Sequence, residues 1–335
     1  MNILSGLYGR AAEWRRAWYG RHPGRRARLA RPVISVGNLV VGGSGKTPVV
    51  AALARLLQER GERPAILSRG YGRQRPTDGV LVVSDGRRVL EETRRSGDEP
   101  QMLARCLPGV PVLVARERFL AGLVAELRFD ATVHLLDDGF QHLPLARDVD
   151  LVIVARADLG ERVLPAGRLR EPLGAARHAH ALLVPGSDED ARDVAAHAGI
   201  ADVFRLSSRY EELRPVQRDA AAPSDRRGRR VVAVAGIARP QRFFAALRAG
   251  GWDIAREMAF RDHHWFSGRD AESIARAAAD AGADLVVTTE KDATRLSIPN
   301  LFYLPMRVTI EPSDRFVDWL AERLRLARAR RGIAA

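Results

Sequence analysis

The run Gly42-Gly43-Ser44-Gly45-Lys46-Thr47 stands directly after a β-rich stretch, Val33 to Val36, and directly before a helical pattern from about Thr47 to Arg60. A loop so placed presents backbone N–H groups and a helix N-terminus to phosphate oxygens, with Lys46 for the outer phosphates and the Thr47 hydroxyl for Mg²⁺. Glycine is needed where backbone must approach a phosphate closely or take positive φ. The strict pattern G-x-x-x-x-G-K-[ST] is not met, since its first glycine position holds Val40. A Gly-rich turn that merely ends a strand is the competing account. Strand context, helix context and one of only two lysines in the chain weigh against it; the other lysine is Lys291, and 52 arginines make up the remaining basic residues.

Two carboxylates follow an apolar strand in Leu135-Leu136-Asp137-Asp138-Gly139-Phe140-Gln141. In P-loop NTPases an acidic residue at such a strand end helps to hold Mg²⁺ beside the β- and γ-phosphates. Alone, Asp-Asp-Gly reads as a turn, and its pairing with the Gly-rich loop is what gives it weight. Glu171, in Leu164-Pro165-Ala166-Gly167-Arg168-Leu169-Arg170-Glu171-Pro172, sits in a loop too rigid and too basic for an ordinary linker, and pattern alone assigns it no role. Phosphoryl transfer to a hydroxyl also wants a positioned acceptor base. Gly97-Asp98-Glu99-Pro100 reads as a helix start with Asp98 as N-cap. Asp262-His263-His264-Trp265-Phe266 offers a histidine to orient such an Asp; with no Cys or third His at ligand spacing, zinc is not expected. Thr288-Thr289-Glu290-Lys291-Asp292 reads as a surface turn.

From Pro32 onward, short β-rich runs alternate with helical patterns: Val33 to Val36, Ala65 to Leu67, Val80 to Val83, Val110 to Val114, Thr132 to Leu136 and Leu151 to Val154. Such alternation predicts an α/β fold with a mostly parallel sheet flanked by helices. Around Ala220 to Arg230 the chain turns Ala-, Pro-, Ser- and Arg-rich, which reads as a linker. A second, smaller α/β lobe is expected beyond it, with strands at Val231 to Ala235, Leu285 to Thr288 and Leu301 to Leu304 and a closing Arg-rich helix from about Asp314. Strands at Leu182 to Pro185 and Val203 to Ser207 fit either lobe.

A chain of 335 residues suggests two domains. Hydrophobic and charged fractions of 46% and 28% argue against disorder, collagen or a disulfide scaffold. The single cysteine, Cys106, cannot form an internal bridge, and no run approaches the roughly 18 uncharged apolar residues of a membrane span. Arg10, Glu13, Arg15 and Arg16 interrupt any signal-peptide centre, so a cytoplasmic, non-spanning protein is expected. The net charge is +13, and over half of it lies in residues 1–31, where eight arginines face one acid, Glu13. There, Leu4, Leu7, Ala11, Trp14 and Trp18 recur at helical spacing with arginines off the stripe. The stripe suits either a helix lying in an anionic membrane interface or one packed on its own domain.

In combination these pieces resemble the tetraacyldisaccharide 4′-kinases of lipid A biosynthesis in Gram-negative bacteria. The resemblance is carried by Val36-Gly37-Asn38 running into Gly42 to Pro48, Leu67-Ser68-Arg69-Gly70-Tyr71-Gly72, Gly97 to Pro100, and Asp137 to His142. Leu164-Pro165 through Arg170-Glu171-Pro172, Asp262-His263-His264 and Thr288 to Ala293 complete it, in family order over about residues 33–293. Ser44 stands where the family usually has Thr. The resemblance implies a P-loop NTPase-like fold and transfer of the ATP γ-phosphate, with Mg²⁺, to the 4′-hydroxyl of tetraacyldisaccharide 1-phosphate. The product would be lipid IVA, formed at the cytoplasmic face of the inner membrane, which accounts for the basic N-terminal helix.

By the same resemblance Asp98 would act as general base with His263 as its partner, and Thr47, Asp137, Asp138 and Glu171 would serve Mg²⁺. Gly42, Gly43, Ser44, Gly45, Lys46 and Thr47 would hold the nucleotide, and Arg69, Tyr71 and Arg118 the acceptor, whose 1-phosphate guanidinium groups can pair. The chain would then divide into a membrane-associating segment, residues 1–31, a P-loop kinase domain, 32–222, and a second lobe, 223–335. A partitioning or scaffolding ATPase resembles this loop, but usually carries a signature lysine where Val41 stands. A GTPase would show Asn-Lys-x-Asp, and neither lysine stands in one. No RNA- or DNA-binding motif accompanies the charge, so nucleic acid is not an expected partner, and nothing implies a protein partner.

Overall fold

The computed structural model describes residues 3–43, 45–217 and 229–332; Ser44 and most of the expected linker around Ala220 to Arg230 lie outside them. The apolar runs form strands β1 (Val33–Asn38), β2 (Pro64–Ser68), β3 (Leu81–Asp85), β4 (Pro111–Val114), β5 (Val133–Asp137), β6 (Val149–Ile153), β7 (Ala181–Pro185) and β8 (Val203–Tyr210). Strands β9 (Arg214–Pro215), β10 (Arg230–Ala235), β11 (Asp253–Ala259), β12 (Leu285–Thr289), β13 (Leu301–Leu304) and β14 (Met306–Glu311) follow. The helices are α1 (Ile3–Arg21), α2 (Lys46–Glu59), α3 (Thr93–Ser96), α4 (Asp98–Cys106), α5 (Arg118–Phe129), α6 (Asp188–Ala198), α7 (Pro240–Ala249), α8 (Gly268–Asp280) and α9 (Ser313–Ala329).

A nine-stranded sheet in the order β14-β8-β7-β6-β1-β5-β2-β4-β3 forms the larger lobe, and a five-stranded sheet, β11-β10-β12-β13-β9, the smaller. Strand β1 lies parallel to both its neighbours and is buried at every residue, as a central strand covered on both faces must be. The large sheet turns antiparallel only at its edges, β3 on β4 and β14 on β8. Ligands of such sheets bind at the carboxyl ends of the strands. There β1 runs into the Gly-rich loop, and a Cβ on Gly37 would stand 2.3 Å from the Cβ of Phe140, so glycine lets the two loops meet.

The lobe boundaries differ from the sequence expectation. Strand β14 and helix α9 belong to the larger lobe: Ile310, Phe316, Leu320 and Leu324 share one core with Ile34, Val49 and Phe204. The smaller lobe is therefore an insertion between β8 and β14. The chain leaves after Tyr210 and returns at Pro305, and the Glu211 N–H donates to the Pro305 carbonyl at 2.9 Å where the crossings meet.

Helix α1 settles which way its stripe faces. Leu4, Leu7 and Trp14 are 63%, 59% and 65% exposed, and the buried residues of the helix are Gly9 and Arg16. The apolar stripe looks outward, while the side that packs inward carries a charge. Among the described residues no helix is long and apolar enough to cross a membrane.

Candidate active site

A cleft of about 1230 Å³ opens between the lobes, lined from the larger lobe by Gly42, Gly43, Gly45, Lys46, Thr47, Asp137 and Asp138 and from the smaller by His263 and Lys291. Gly42 and Gly45 take φ of +96° and +80°, conformations that L side chains resist. Gly45 caps α2 without a side-chain bond, so the N–H groups of its first turn are left for a ligand. The Val41 N–H donates to the Arg168 carbonyl and the Arg170 N–H to the Leu39 carbonyl, bracing the approach to the loop. Lys46 Nζ donates to Asn38 Oδ1 at 3.1 Å and lies 3.5 Å from Asp138 Oδ1. From the other lobe, Ala238 stands 3.2 Å from where a Cβ on Gly43 would be, so the smaller lobe reaches the tip of the loop.

Asp137 and Asp138 close the floor at the end of β5. Burial, reinforced by the charges of Glu99 and Asp138, pushes Asp137 up to about 8. Burial acts on Asp138 too, but Lys46 and Arg170 outweigh it and hold that carboxyl below its usual range. Asp137 Oδ1 is buried without a hydrogen-bond partner, an acceptor that a cation would satisfy. Among the described residues no three carboxylates, histidines or cysteines form a metal cage. The donor set suits Mg²⁺, which takes one or two carboxylates and completes its shell with water and substrate phosphates.

Glu171 lines the same cleft. It is buried, and its two oxygens accept from Arg16 Nε at 2.7 Å and Arg16 Nη2 at 2.8 Å. Arg16 also donates to the Phe140 carbonyl and lies over the Phe140 ring at 4.1 Å. This bidentate ion pair ties α1 to the Leu164–Pro172 loop and to the Asp137–His142 loop, a link that the sequence did not announce. The reason is the inward turn of Arg16, one of eight N-terminal arginines that the helical pattern could not tell apart.

Asp98, 3% exposed, opens α4, and the N-cap is Gly97 at φ +90° rather than Asp98 itself. His263 Nδ1 lies 2.9 Å from Asp98 Oδ2 and 3.2 Å from Oδ1. Its neighbour His264 faces Asp270 at the start of α8 and leaves Asp98 alone. Two cations that sequence reasoning did not assign join the pair: Arg295 Nη1 at 3.0 Å and Lys291 Nζ at 3.7 Å from Asp98 Oδ2. Burial works to raise Asp98, but the His263 hydrogen bond, then Lys291 and Arg295, pull it down to about 2. The carboxylate is thus ionised at any working pH. No signal in the sequence marks Arg295; the scarcity of lysine was the one hint at Lys291.

Of the expected acceptor-side residues, Arg69 and Tyr71 line the cleft, and the exposed Tyr71 ring meets the His263 ring edge-on at 5.4 Å. Arg118 does not line it: the residue is 5% exposed and bonds the Arg116 carbonyl and His142. Burial, then the charge of Arg69, lowers Arg118 to about 10. Arg239 and Arg242 of the smaller lobe face the cleft instead, and neither was singled out from sequence.

Fold and site define a P-loop phosphotransferase. The chain belongs to the tetraacyldisaccharide-1-P 4′-kinase family, whose model matches residues 1–325. It is 43% identical over 299 residues to a tetraacyldisaccharide 4′-kinase of Geobacter metallireducens, covering 88% of this chain and 87% of that one. It is 42% identical over 339 residues to a namesake from Bradyrhizobium diazoefficiens, covering 98% and 93%. A crystal structure of LpxK from Aquifex aeolicus in complex with ATP superposes with a TM-score of 0.79 at 31% identity, over 96% of this chain and 98% of that one. Membership makes the protein a kinase of lipid A biosynthesis and sets the partitioning ATPase aside.

Proposed function

We propose that the protein transfers the γ-phosphate of ATP to the 4′-hydroxyl of tetraacyldisaccharide 1-phosphate at the cytoplasmic face of the bacterial inner membrane. The observation that carries this reading is the buried, ionised Asp98, held directly behind His263 and Lys291, which line the same cleft as the phosphate loop. The hydroxyl oxygen bonds the γ-phosphorus, the bond from that phosphorus to the β,γ-bridging oxygen breaks, ADP leaves, and the hydroxyl proton passes to Asp98. A carboxylate held near 2 is a weak base, so it orients the hydroxyl and takes the proton late, which suits a loose transition state. Lys46 and the N–H groups of α2 hold the triphosphate. Thr47, Asp137 and Asp138 would hold Mg²⁺, which neutralises charge on the β- and γ-oxygens. Arg69 and Tyr71, which line the cleft, would bind the acceptor, and Ser44 completes the loop in sequence.

With γ-labelled ATP, Mg²⁺ and detergent-dispersed tetraacyldisaccharide 1-phosphate, labelled bisphosphorylated lipid is the expected product, absent with Lys46→Ala. Hydrolysis of ATP without labelled lipid would refute the reading.

The outward apolar stripe of α1, flanked by arginines, supports peripheral attachment to an anionic bilayer. Replacing Leu4, Leu7 and Trp14 by serine should release the protein from anionic vesicles in a sedimentation assay, without touching Arg16. Unchanged pelleting would remove the anchor from the argument.

A further inference from the structure

Lys291 follows β12, and its Nζ has four polar neighbours: His263 Nε2 at 3.2 Å, Asp262 Oδ1 at 3.4 Å, Glu99 Oε1 at 3.6 Å and Asp98 Oδ2 at 3.7 Å. Burial alone would favour the neutral amine, but Asp98, Glu99 and Asp262 outweigh it, so the group is an ammonium. An ammonium has three donors and no acceptor. At 3.2 Å from it, His263 Nε2 must present its lone pair. The other ring nitrogen, 2.9 Å from the Asp98 carboxylate, must carry the hydrogen. A doubly protonated ring would aim an N–H at the ammonium, with Asp262 at 3.9 Å as the nearest acceptor for it.

We propose that Lys291 is a positioning residue that locks His263 in the neutral, Nδ1-protonated tautomer, leaving Asp98 as the one group able to take the hydroxyl proton during transfer. This rests on the phosphotransfer reading above. With Nδ1 already protonated and Nε2 occupied by Lys291, the imidazole cannot accept a proton relayed from Asp98. It steers the carboxylate, and Arg295 completes the grip from the same turn. A compact ammonium reaches all four groups at once, whereas the planar guanidinium fork needs acceptors spread in its own plane. That geometry gives a reason for lysine at this position in a chain whose other basic residues, Lys46 apart, are arginines.

The test is ¹⁵N NMR of the full chain with labelled histidine at neutral pH, the His263 signals being assigned by their loss in His263→Ala. The Nδ1–H tautomer is expected in the wild type, with Nε2 unprotonated. Lys291→Met should convert it to an Nε2–H mixture or to imidazolium and lower kcat about 100-fold, with KM for ATP within about twofold. Lys291→Arg, which keeps the charge, should restore neither tautomer nor rate. An imidazolium or Nε2–H ring in the wild type would overturn the proposal even if the methionine variant failed to fold. So would an unchanged tautomer in Lys291→Met, or full rate in Lys291→Arg. The expected tautomer without lipid phosphorylation would leave the lock standing and defeat the kinase reading.

Discussion

Asp98→Ala lowers kcat by about 10² to 10⁴ while the KM for ATP changes little. The asymmetry follows from where the groups stand. The nucleotide would be held by the loop from Gly42 to Thr47 on the larger lobe, and none of those contacts passes through Asp98. What the variant loses is the acceptor for the hydroxyl proton and the anchor for His263, Lys291 and Arg295. Steady-state kinetics at saturating acceptor measure this, and near-wild-type turnover would sink the assignment.

The same residue has a pH signature. A carboxyl depressed in the folded state to about 2, against 3.8, adds stability that is fully present above about pH 4. It is lost as pH falls through about 2, and the buried group is worth on the order of 2 kcal/mol. Urea midpoints followed from pH 5 to 2 should fall more steeply for the wild type than for Asp98→Asn. Parallel curves would show that His263, Lys291 and Arg295 do not act on Asp98.

Arg16→Ala is expected to cost about 3 to 5 kcal/mol of folding stability, because it leaves the buried Glu171 carboxylate without a partner. Its exposed neighbour gives the control: Arg15 makes one hydrogen bond, to the Gln141 carbonyl, and Arg15→Ala should cost under about 1 kcal/mol. The double change Arg16→Met with Glu171→Leu should recover most of the loss, since no isolated charge then remains inside. Equilibrium unfolding in urea separates these outcomes. A loss from Arg16→Ala no larger than from Arg15→Ala would mean that Glu171 reaches water in solution.

What the sequence made legible was set by burial. The central strands announce themselves because β1, β5 and β6 are covered on both faces and read as mostly apolar runs, broken only by single polar residues such as Ser35, His134 and Asp150. Strands β11 and β14 lie at sheet edges, carry residues such as Arg256, Glu257 and Arg307, and pass for loop. Missing β14 is why the C-terminal helix was expected in the wrong lobe: nothing local says that Met306–Glu311 pairs with β8 rather than with the strand just before it. The phosphate loop was readable because its parts are contiguous. The surroundings of Asp98 were readable only in part: His263 was expected beside it, but Lys291 and Arg295 reach it only through the docking of one sheet on another. Arg16 was hidden for the opposite reason: its pattern matched its neighbours, and only the inward turn of one side chain set it apart.

The insertion of the smaller lobe between β8 and β14 bears on how the protein is made. As the chain emerges from the ribosome, β8 appears about a hundred residues before the strand that covers its edge, a wait of roughly 5 to 20 seconds at ordinary elongation rates. During that interval the hydrogen-bonding edge of β8 stands open beside Phe204 and Leu206, an invitation to pair with another nascent chain. The inserted lobe has its own core and can fold meanwhile, but the larger one is sealed only when β14 and α9 arrive. Nascent chains halted before Met306 should therefore be ready substrates for chaperones, and C-terminal truncations should be recovered as aggregates rather than as smaller enzymes.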